Sequence, residues 1–403
     1  MFWNKNETKV ITDENKIDEL LLRGVAEIID KEKLASNLKS GKPLRVKFGI
    51  DPTSPNLHLG RAVVLWKLRA FQELGHKIIF IIGDFTGVIG DTSDKDSERP
   101  MLSDKIIREN LKEYFNQAGK ILEMNTVEKY YNSEWLAKLT YKEIGEQADR
   151  FSVADFIARE NIERRLSAGT RVSLREILYP LMQGYDSVKV ESNVEIGGTD
   201  QRFNMLSGRT LQEFYKQKPQ QILMTKLLRG IDGRKMSSSW GNTINIVDSP
   251  NDMYGKAMRL NDELISEFFL LATNIKEEEI AEITNGLKNG TTLPKDAKMR
   301  LAQELVRIYH GPTMAQKAQE QFVNTFSKKE APEEALTVEI KEGELLGDVL
   351  LRTRIVDSKS EFSRLILAGA VEIVGGPKIT NGKAPALSDK TYKIGKHRFL
   401  KTK

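Results

Sequence analysis

Three short stretches of this 403-residue chain carry side chains that could do chemistry. The first runs Gly49-Ile50-Asp51-Pro52-Thr53-Ser54-Pro55-Asn56-Leu57-His58-Leu59-Gly60-Arg61. An imidazole, a guanidinium and, if a helix starts here, free backbone amides are the groups that hold phosphate. The second runs Asp232-Gly233-Arg234-Lys235-Met236-Ser237-Ser238-Ser239-Trp240-Gly241-Asn242, a glycine-flanked, serine-rich loop around one lysine. The third places Tyr179, Gln183 and Asp186 at i, i+4 and i+7, a polar face on an otherwise apolar helical segment. Buried polar groups must be paired, and a bound molecule can supply the pairing. On spacing alone the first and third stretches keep plainer readings: an ordinary βα unit with a surface histidine, and a satisfied internal network.

The surrounding pattern says which elements hold these residues. Leu44, Val46, Phe48 and Ile50 alternate with more polar neighbours, as in a strand. Leu59, Val63, Leu65, Leu68, Phe71 and Leu74 then recur at helical spacing, and Gly75 ends the run. His58, Gly60 and Arg61 therefore fall on the first turn of a helix, where Gly60 lets a ligand lie on the backbone. Lys77 to Ile82 is an unbroken apolar run, typical of a parallel strand buried on both faces. It leads into a glycine-rich stretch ending at Asp91, which could bind a cation or cap a turn. Val194 to Gln201 reads as another strand ending in glycines, with Asp200 placed for ribose hydroxyls or for helix capping.

These elements predict an α/β fold: a Rossmann-like, parallel-sheet domain over 1–245, with a helical insertion over about 103–184. Residues before Ser40 read as a helical lead-in, with Ile17, Leu20, Leu21, Val25, Ile28 and Ile29 on one face. A helical domain over 246–330 follows, then a charged linker from Ser327 to Val338 and a small α+β module over 339–403.

The net charge of +5 is unevenly spread. From Arg352 to Lys403 there are 12 Lys and Arg against 4 Asp and Glu, while the rest of the chain is slightly acidic. That tail is either a module for a polyanion or a solvated lysine-rich terminus. The absence of cysteine excludes disulfides, thiolate zinc sites and a cysteine nucleophile. Four scattered histidines give no protein-built metal site. The N-terminus has no long apolar segment and no run is long enough to span a membrane, so a cytoplasmic protein is the expectation.

The first two stretches together resemble the paired signatures of class I aminoacyl-tRNA synthetases. H-L-G-R stands for H-[IL]-G-H, and K-M-S-S-S for K-M-S-K-S. Y-P-L-M-Q-G-Y-D-S-V and G-G-T-D-Q-R-F-N are similar to the tyrosyl branch of bacteria, and the C-terminal stretch resembles an S4 RNA-binding domain. The resemblance, which covers nearly the whole chain from Leu44, implies tyrosine activation by ATP and transfer to tRNA(Tyr). ATP would bring Mg²⁺, with no tightly bound cofactor. It implies an anticodon-binding role for 246–330, an S4-like RNA-binding role for 339–403, and a homodimer built on the inserted helices. By the same resemblance, His58, Arg61 and Lys235 are catalytic. Asp51, Thr53, Gly60, Gly198, Asp200, Gln201, Met236 and Ser238 join them around ATP. Asp91, Tyr179, Gln183, Asp186 and Gln201 surround tyrosine, with Asp186 accepting from the phenolic hydroxyl.

Three positions depart from the family pattern. Arg61 replaces the second histidine of the first signature, and Ser238 replaces the second lysine of the other. Lys47 stands where the better-known tyrosyl branch has a tyrosine that binds the phenolic hydroxyl, so it enters the tyrosine set with no assigned partner. Arg61 and Ser238 favour one rival, a non-catalytic RNA-binding paralogue. A ligase for tryptophan is opposed by the Tyr179, Gln183 and Asp186 face.

Overall fold

The computed structural model describes residues 9–91, 101–327, 335–341, 343–374, 376–395 and 398–403. The N-terminal residues 1–8 and most of the expected linker lie outside that set. The chain forms two compact units, one of Met1–Asp248 with Arg259–Leu301, the other of Ser249–Met258 with Ala302–Lys403.

The first unit is built on a six-stranded sheet. Its strands are β1 (Val25–Ile29), β2 (Arg45–Ile50), β3 (Lys77–Ile82), β4 (Glu128–Tyr131), β5 (Val194–Gly198) and β6 (Gln221–Thr225), in the order β1-β6-β5-β2-β3-β4. β2 to β6 run parallel, while β1 lies antiparallel on the β6 edge. The order reverses between β2 and β5, which are paired neighbours. In such sheets the carboxyl ends of the two strands at the reversal open the binding crevice.

Two strands fall where the sequence pattern reads helix. The lead-in to Ser40 divides into α1 (Glu14–Leu22), β1 and α2 (Lys31–Lys39). Gly24, at φ +64°, breaks the helix, and β-branched Val25, Ile28 and Ile29 then favour the pleated form. Ile29 stands opposite Ile222. The insertion likewise contains β4, which extends the sheet beside β3. With four residues and alternate exposure, β4 is too short to show a period in sequence.

Helices cover and connect the strands. α3 (Leu59–Glu73) follows β2, and α4 (Asp84–Ile89) follows β3. The inserted span holds α5 to α10 (Asp104–Leu111, Tyr114–Ala118, Ser133–Leu136, Tyr141–Ala148, Val153–Ile157, Glu160–Ser167) and leads into α11 (Leu174–Lys189). α11 starts at a full capping box between Ser173 and Glu176, and the Glu176 carboxylate is buried against Arg165. α12 (Arg202–Phe214) packs along α11. Gly184 permits this close approach, since a Cβ there would lie 3.0 Å from the α12 backbone.

The span 246–330 is divided between the units. It holds α13 (Pro250–Met258), α14 (Ile265–Ala272), α15 (Glu277–Asn289), α16 (Pro294–His310) and α17 (Pro312–Ser327). α14 belongs to the first unit because Ile265, Phe268 and Phe269 are fully buried and α14 packs on α3. The Arg23 guanidinium further ties the chain there by donating to the carbonyls of Thr273 and Ile275, both at 2.7 Å. In the second unit α13 packs against α17.

The C-terminal module has its own core. β7 (Leu336–Val338), a strand where the sequence reads linker, is followed by α18 (Leu346–Arg352), α19 (Lys359–Leu367), β8 (Val371–Ile373), β9 (Thr391–Ile394) and β10 (Arg398–Thr402). The sheet order is β7-β10-β9-β8. Leu346, Val349, Leu350, Phe362, Val371, Tyr392 and Leu400 form one buried cluster beneath it.

Candidate active site

A cavity of about 340 Å³ opens at the carboxyl ends of β2 and β5. All three chemistry-bearing stretches line it: Asp51 to Arg61, Tyr179 to Asp186, and Lys235 to Ser238.

β2 delivers its loop to α3, and His58 takes the N-cap position. The two phosphate-type stretches are joined by backbone. The Leu59 amide donates to the Ile244 carbonyl and the Ile246 amide to the Leu57 carbonyl, each at 2.9 Å. Met236 Sδ accepts from the Gly60 amide at 3.3 Å. Burial, with Arg61 and Lys235 nearby, pushes the His58 imidazole down to about 3. Its buried Nδ1 has no hydrogen-bond partner among the described residues. With these protein groups alone around it, the His58 imidazole is therefore held toward its neutral form, a hydrogen-bonding group. A cation must come from elsewhere in the cavity.

Arg61 is one such cation, but part of its fork is occupied. It donates to Tyr114 Oη at 2.7 Å and to Thr53 Oγ1 at 3.2 Å. Tyr114, fully buried, donates in turn to the Ser54 carbonyl at 2.6 Å. Arg61 thus braces the loop and also faces the cavity.

Lys235 is the second cation. Its Nζ lies 3.1 Å from Asp200 Oδ2, which joins the serine-rich loop to the turn after β5. Asn242 sets the shape of that loop. Its Oδ1 accepts from the Ser237 amide at 2.9 Å, and its Nδ2 donates to Asp232 at 2.8 Å and to the Lys235 carbonyl at 3.0 Å. Gly198 leaves backbone bare beside this turn, since a Cβ there would lie 2.6 Å from Asp200 Oδ1.

The closed end is built on α11. Tyr179 Oη donates to Asp51 Oδ2 at 2.8 Å, and Thr86 Oγ1 donates to Asp51 Oδ1 at 2.7 Å. Burial and then Asp51 push the Tyr179 phenol well above its ordinary range, so it stays a donor. Asn204 Nδ2 donates to Gln183 Oε1 and to Gln201 Oε1, both at 3.1 Å, and Gln201 Nε2 donates to Asp91 at 2.8 Å. The buried Asp186 accepts from Trp135 Nε1 at 2.8 Å and from Asn132 Nδ2 at 3.3 Å. Burial raises its carboxyl to about 7, opposed by Lys47 and by these two donors.

Of the residues singled out from sequence, only Lys47 does not line this cavity. It is fully buried behind the wall, with Nζ 2.9 Å from Glu195 Oε1, 2.8 Å from Ser187 Oγ and 3.0 Å from the Gln183 carbonyl. Its three protons are spent there, so the place among the ligand-facing residues that the sequence reading gave Lys47 is corrected to a buried place behind them. Sequence reasoning missed Glu195, Asn132 and Thr86 on the wall, and Tyr114, Trp135 and Asn204 behind it. Only Glu195 left a signal, a lone acid inside the apolar run Val194-Glu195-Ile196. Among the described residues no cluster of three His, Asp or Glu could hold a metal.

Residues 39–327 match the family described as tRNA synthetases class I (W and Y), and the chain belongs to that family. It is 43% identical over 394 residues to a tyrosine–tRNA ligase of Thermotoga maritima, covering 97% of this chain and 98% of the relative. It is 44% identical over 390 residues to the tyrosine–tRNA ligase of Moorella thermoacetica, covering 95% and 94%. Among solved structures, a C-terminally truncated mitochondrial tyrosyl-tRNA synthetase from Aspergillus nidulans shares the fold, with TM-score 0.64 and 20% identity over 78% of this chain and 95% of that one. A tyrosyl-tRNA synthetase from Archaeoglobus fulgidus, complexed with L-tyrosine, matches at TM-score 0.60 and 20% identity, covering 76% and 99%.

Proposed function

We infer that this chain is a tyrosine–tRNA ligase. The observation that carries the reading is one cavity that joins the polar face of α11 to both phosphate-type stretches. Tyrosine carboxylate attacks the α-phosphorus of ATP, giving tyrosyl-adenylate and pyrophosphate. The 3′-terminal adenosine of tRNA(Tyr) then takes the tyrosyl group. Protein groups position the reactants and stabilise charge on phosphate oxygens.

ATP enters as its Mg²⁺ complex. His58, the Gly60 backbone, Arg61 and Lys235 face the phosphates. Asp51, Thr53, Gly198, Asp200, Gln201, Met236 and Ser238 frame the nucleotide, with Asp200 accepting from ribose. Asp91, Tyr179 and Gln183 surround the ammonium of tyrosine, Gln201 holds its reacting end, and Asp186 accepts from its phenolic hydroxyl. The helices after 246 serve anticodon binding. The module over 339–403 acts as an S4-like RNA-binding domain, supported by its own core and its basic balance. The protein works as a cytoplasmic homodimer. Tyr141 and Leu174, apolar and largely exposed on the inserted span, supply surface for that contact.

The test is exchange of pyrophosphate into ATP with each of the twenty amino acids. Exchange that depends on tyrosine is the expected result. A folded protein that shows none, with Mg²⁺ present, is instead the RNA-binding paralogue. Removing residues from Gly343 onward is expected to spare adenylate formation and weaken tRNA charging. Phosphate contacts release counterions, so affinity for tRNA in the intact chain should fall more steeply with salt than in the truncated chain. Equal charging and equal salt slopes would reduce the tail to a solvated terminus.

A further inference from the structure

We propose that Lys47 is a positioning residue for the amino-acid substrate: paired with Glu195 across the two central strands, it holds the Asp186 carboxylate in its accepting form. This rests on the tyrosine–tRNA ligase reading of the same cavity.

Place is the first ground. Lys47 and Glu195 are direct partners in the β2–β5 ladder, where the strand order reverses. Their side chains share the face covered by α11, the helix that carries Asp186 and also Ser187, which touches both. The pair is sealed, with Lys47 0% and Glu195 2% exposed. Removing two charges from water is costly, and a sealed pair is weak evidence for stability.

Counting hydrogen bonds is the second ground. A carboxylate offers about four acceptor positions and an ammonium three protons. Glu195 accepts from Lys47, Gln183, Ser187 and Gln220, which fills it. Lys47 donates to Glu195, Ser187 and the Gln183 carbonyl, which uses all its protons. Neither has capacity left for a substrate, although Glu195 reaches the cavity wall. Among the described residues Asp186 accepts from Trp135 and Asn132 alone, which leaves about two of its positions for a phenolic hydroxyl.

Charge is the third ground. Lys47 meets α11 on either side of Asp186, at the Gln183 carbonyl one turn before it and at Ser187 Oγ one residue after it. The titratable groups acting on Asp186 are Lys47 on β2, Glu195 on β5 and the Tyr179 phenol on its own helix, and the neutral donors Asn132 and Trp135 reach it from the segment after β4. Burial drives the Asp186 carboxyl toward protonation, and Lys47 is the foremost opposing influence. Glu195 acts the other way. A protonated Asp186 loses the charge-assisted bond to the hydroxyl, which is roughly twice as strong as a neutral one. Lys47 thus keeps the reader of the hydroxyl ionised without touching the substrate. Glu195 fixes Lys47 in place and orients the amide of Gln183.

The experiment is pyrophosphate exchange from pH 5.5 to 8.5 with tyrosine and with phenylalanine, on the wild type, Lys47→Met and Glu195→Gln. The quantity read is the ratio of the two kcat/KM values, in which groups serving both substrates cancel. The ratio is expected to fall on the acid side. Lys47→Met should move that limb to higher pH by at least about one unit, a ten-fold loss of preference on the limb. Glu195→Gln, nearly isosteric, should move it to lower pH. Circular dichroism confirms that each variant is folded, and Glu195→Gln carries the test if Lys47→Met is not. Any folded variant whose limb stays put or moves the wrong way overturns the role of Lys47. A wild type without tyrosine-dependent exchange overturns the ligase reading itself.

Discussion

Asp186→Ala is expected to lower kcat/KM for tyrosine far more than for phenylalanine, shrinking the preference by several orders of magnitude. The two substrates differ by one hydroxyl, and an apolar pocket rejects the smaller one weakly. A buried acceptor left unpaired rejects it strongly, and tyrosyl-tRNA synthetases are the standing illustration of that effect. On the proposed reading Asp186 is that acceptor: it lines the cavity, is 3% exposed, and holds two donors that orient its carboxylate. Alanine also strands Trp135 Nε1, at about 1–3 kcal/mol for a buried polar group left unsatisfied, while Asn132 Nδ2 keeps Thr86 Oγ1 at 2.9 Å. Asp186→Asn separates that loss from the loss of charge, since an amide can still meet one of the two donors. Exchange kinetics with both amino acids decide the matter. An alanine variant that still rejects phenylalanine like the wild type would mean that the hydroxyl is read elsewhere.

Lys235→Ala is expected to cost about 10²–10³ in the rate of adenylate formation, the usual effect of removing one charge-stabilising donor. Affinity for tyrosine should change little. Lys235 sits on a loop held by Asn242 and reaches Asp200, which the proposed reading sets beside the nucleotide. A group that acts on charge developing in the transition state lowers kcat and leaves ground-state binding alone. Pre-steady-state measurement of adenylate formation separates the two constants. If the variant instead raised only the tyrosine KM, the loop would be a binding element for the amino acid.

How far the site could be read from sequence varied with range. β2, its loop and α3 are legible because strand alternation, two prolines and helical spacing follow each other within thirty residues. The face of Tyr179, Gln183 and Asp186 is legible because one helix period sets it. β1 was hidden because five apolar-rich residues between two helices fit a helical stripe as well as a strand. Lys47 was legible as a departure and not as a partner. Its meaning depends on Glu195, 148 positions away, and on the register between two strands. They are charges of opposite sign, Glu195 alone among apolar residues and Lys47 between Val46 and Phe48 in a strand that also carries Arg45. Two such charges on central strands must meet or be neutralised, and that rule could have joined them. Tyr114 and Asn132 carry no comparable mark, since their roles arise only from the packing of the inserted span.

The backbone bonds that join Leu57 and Leu59 to Ile244 and Ile246 have a consequence for how the molecule comes into being. They connect segments 185 and 189 positions apart in the chain, so the loop between them must close before they form. Contacts of such separation fold late and slowly. During synthesis, a ribosome that has released the first two hundred residues has released the His58 turn without its clasp. The site is therefore incomplete in a nascent or clipped product that stops before Asn242, which on the proposed reading has no grip on nucleotide. Supplying the missing piece as a separate peptide should restore exchange only at concentrations high enough to replace the lost tether.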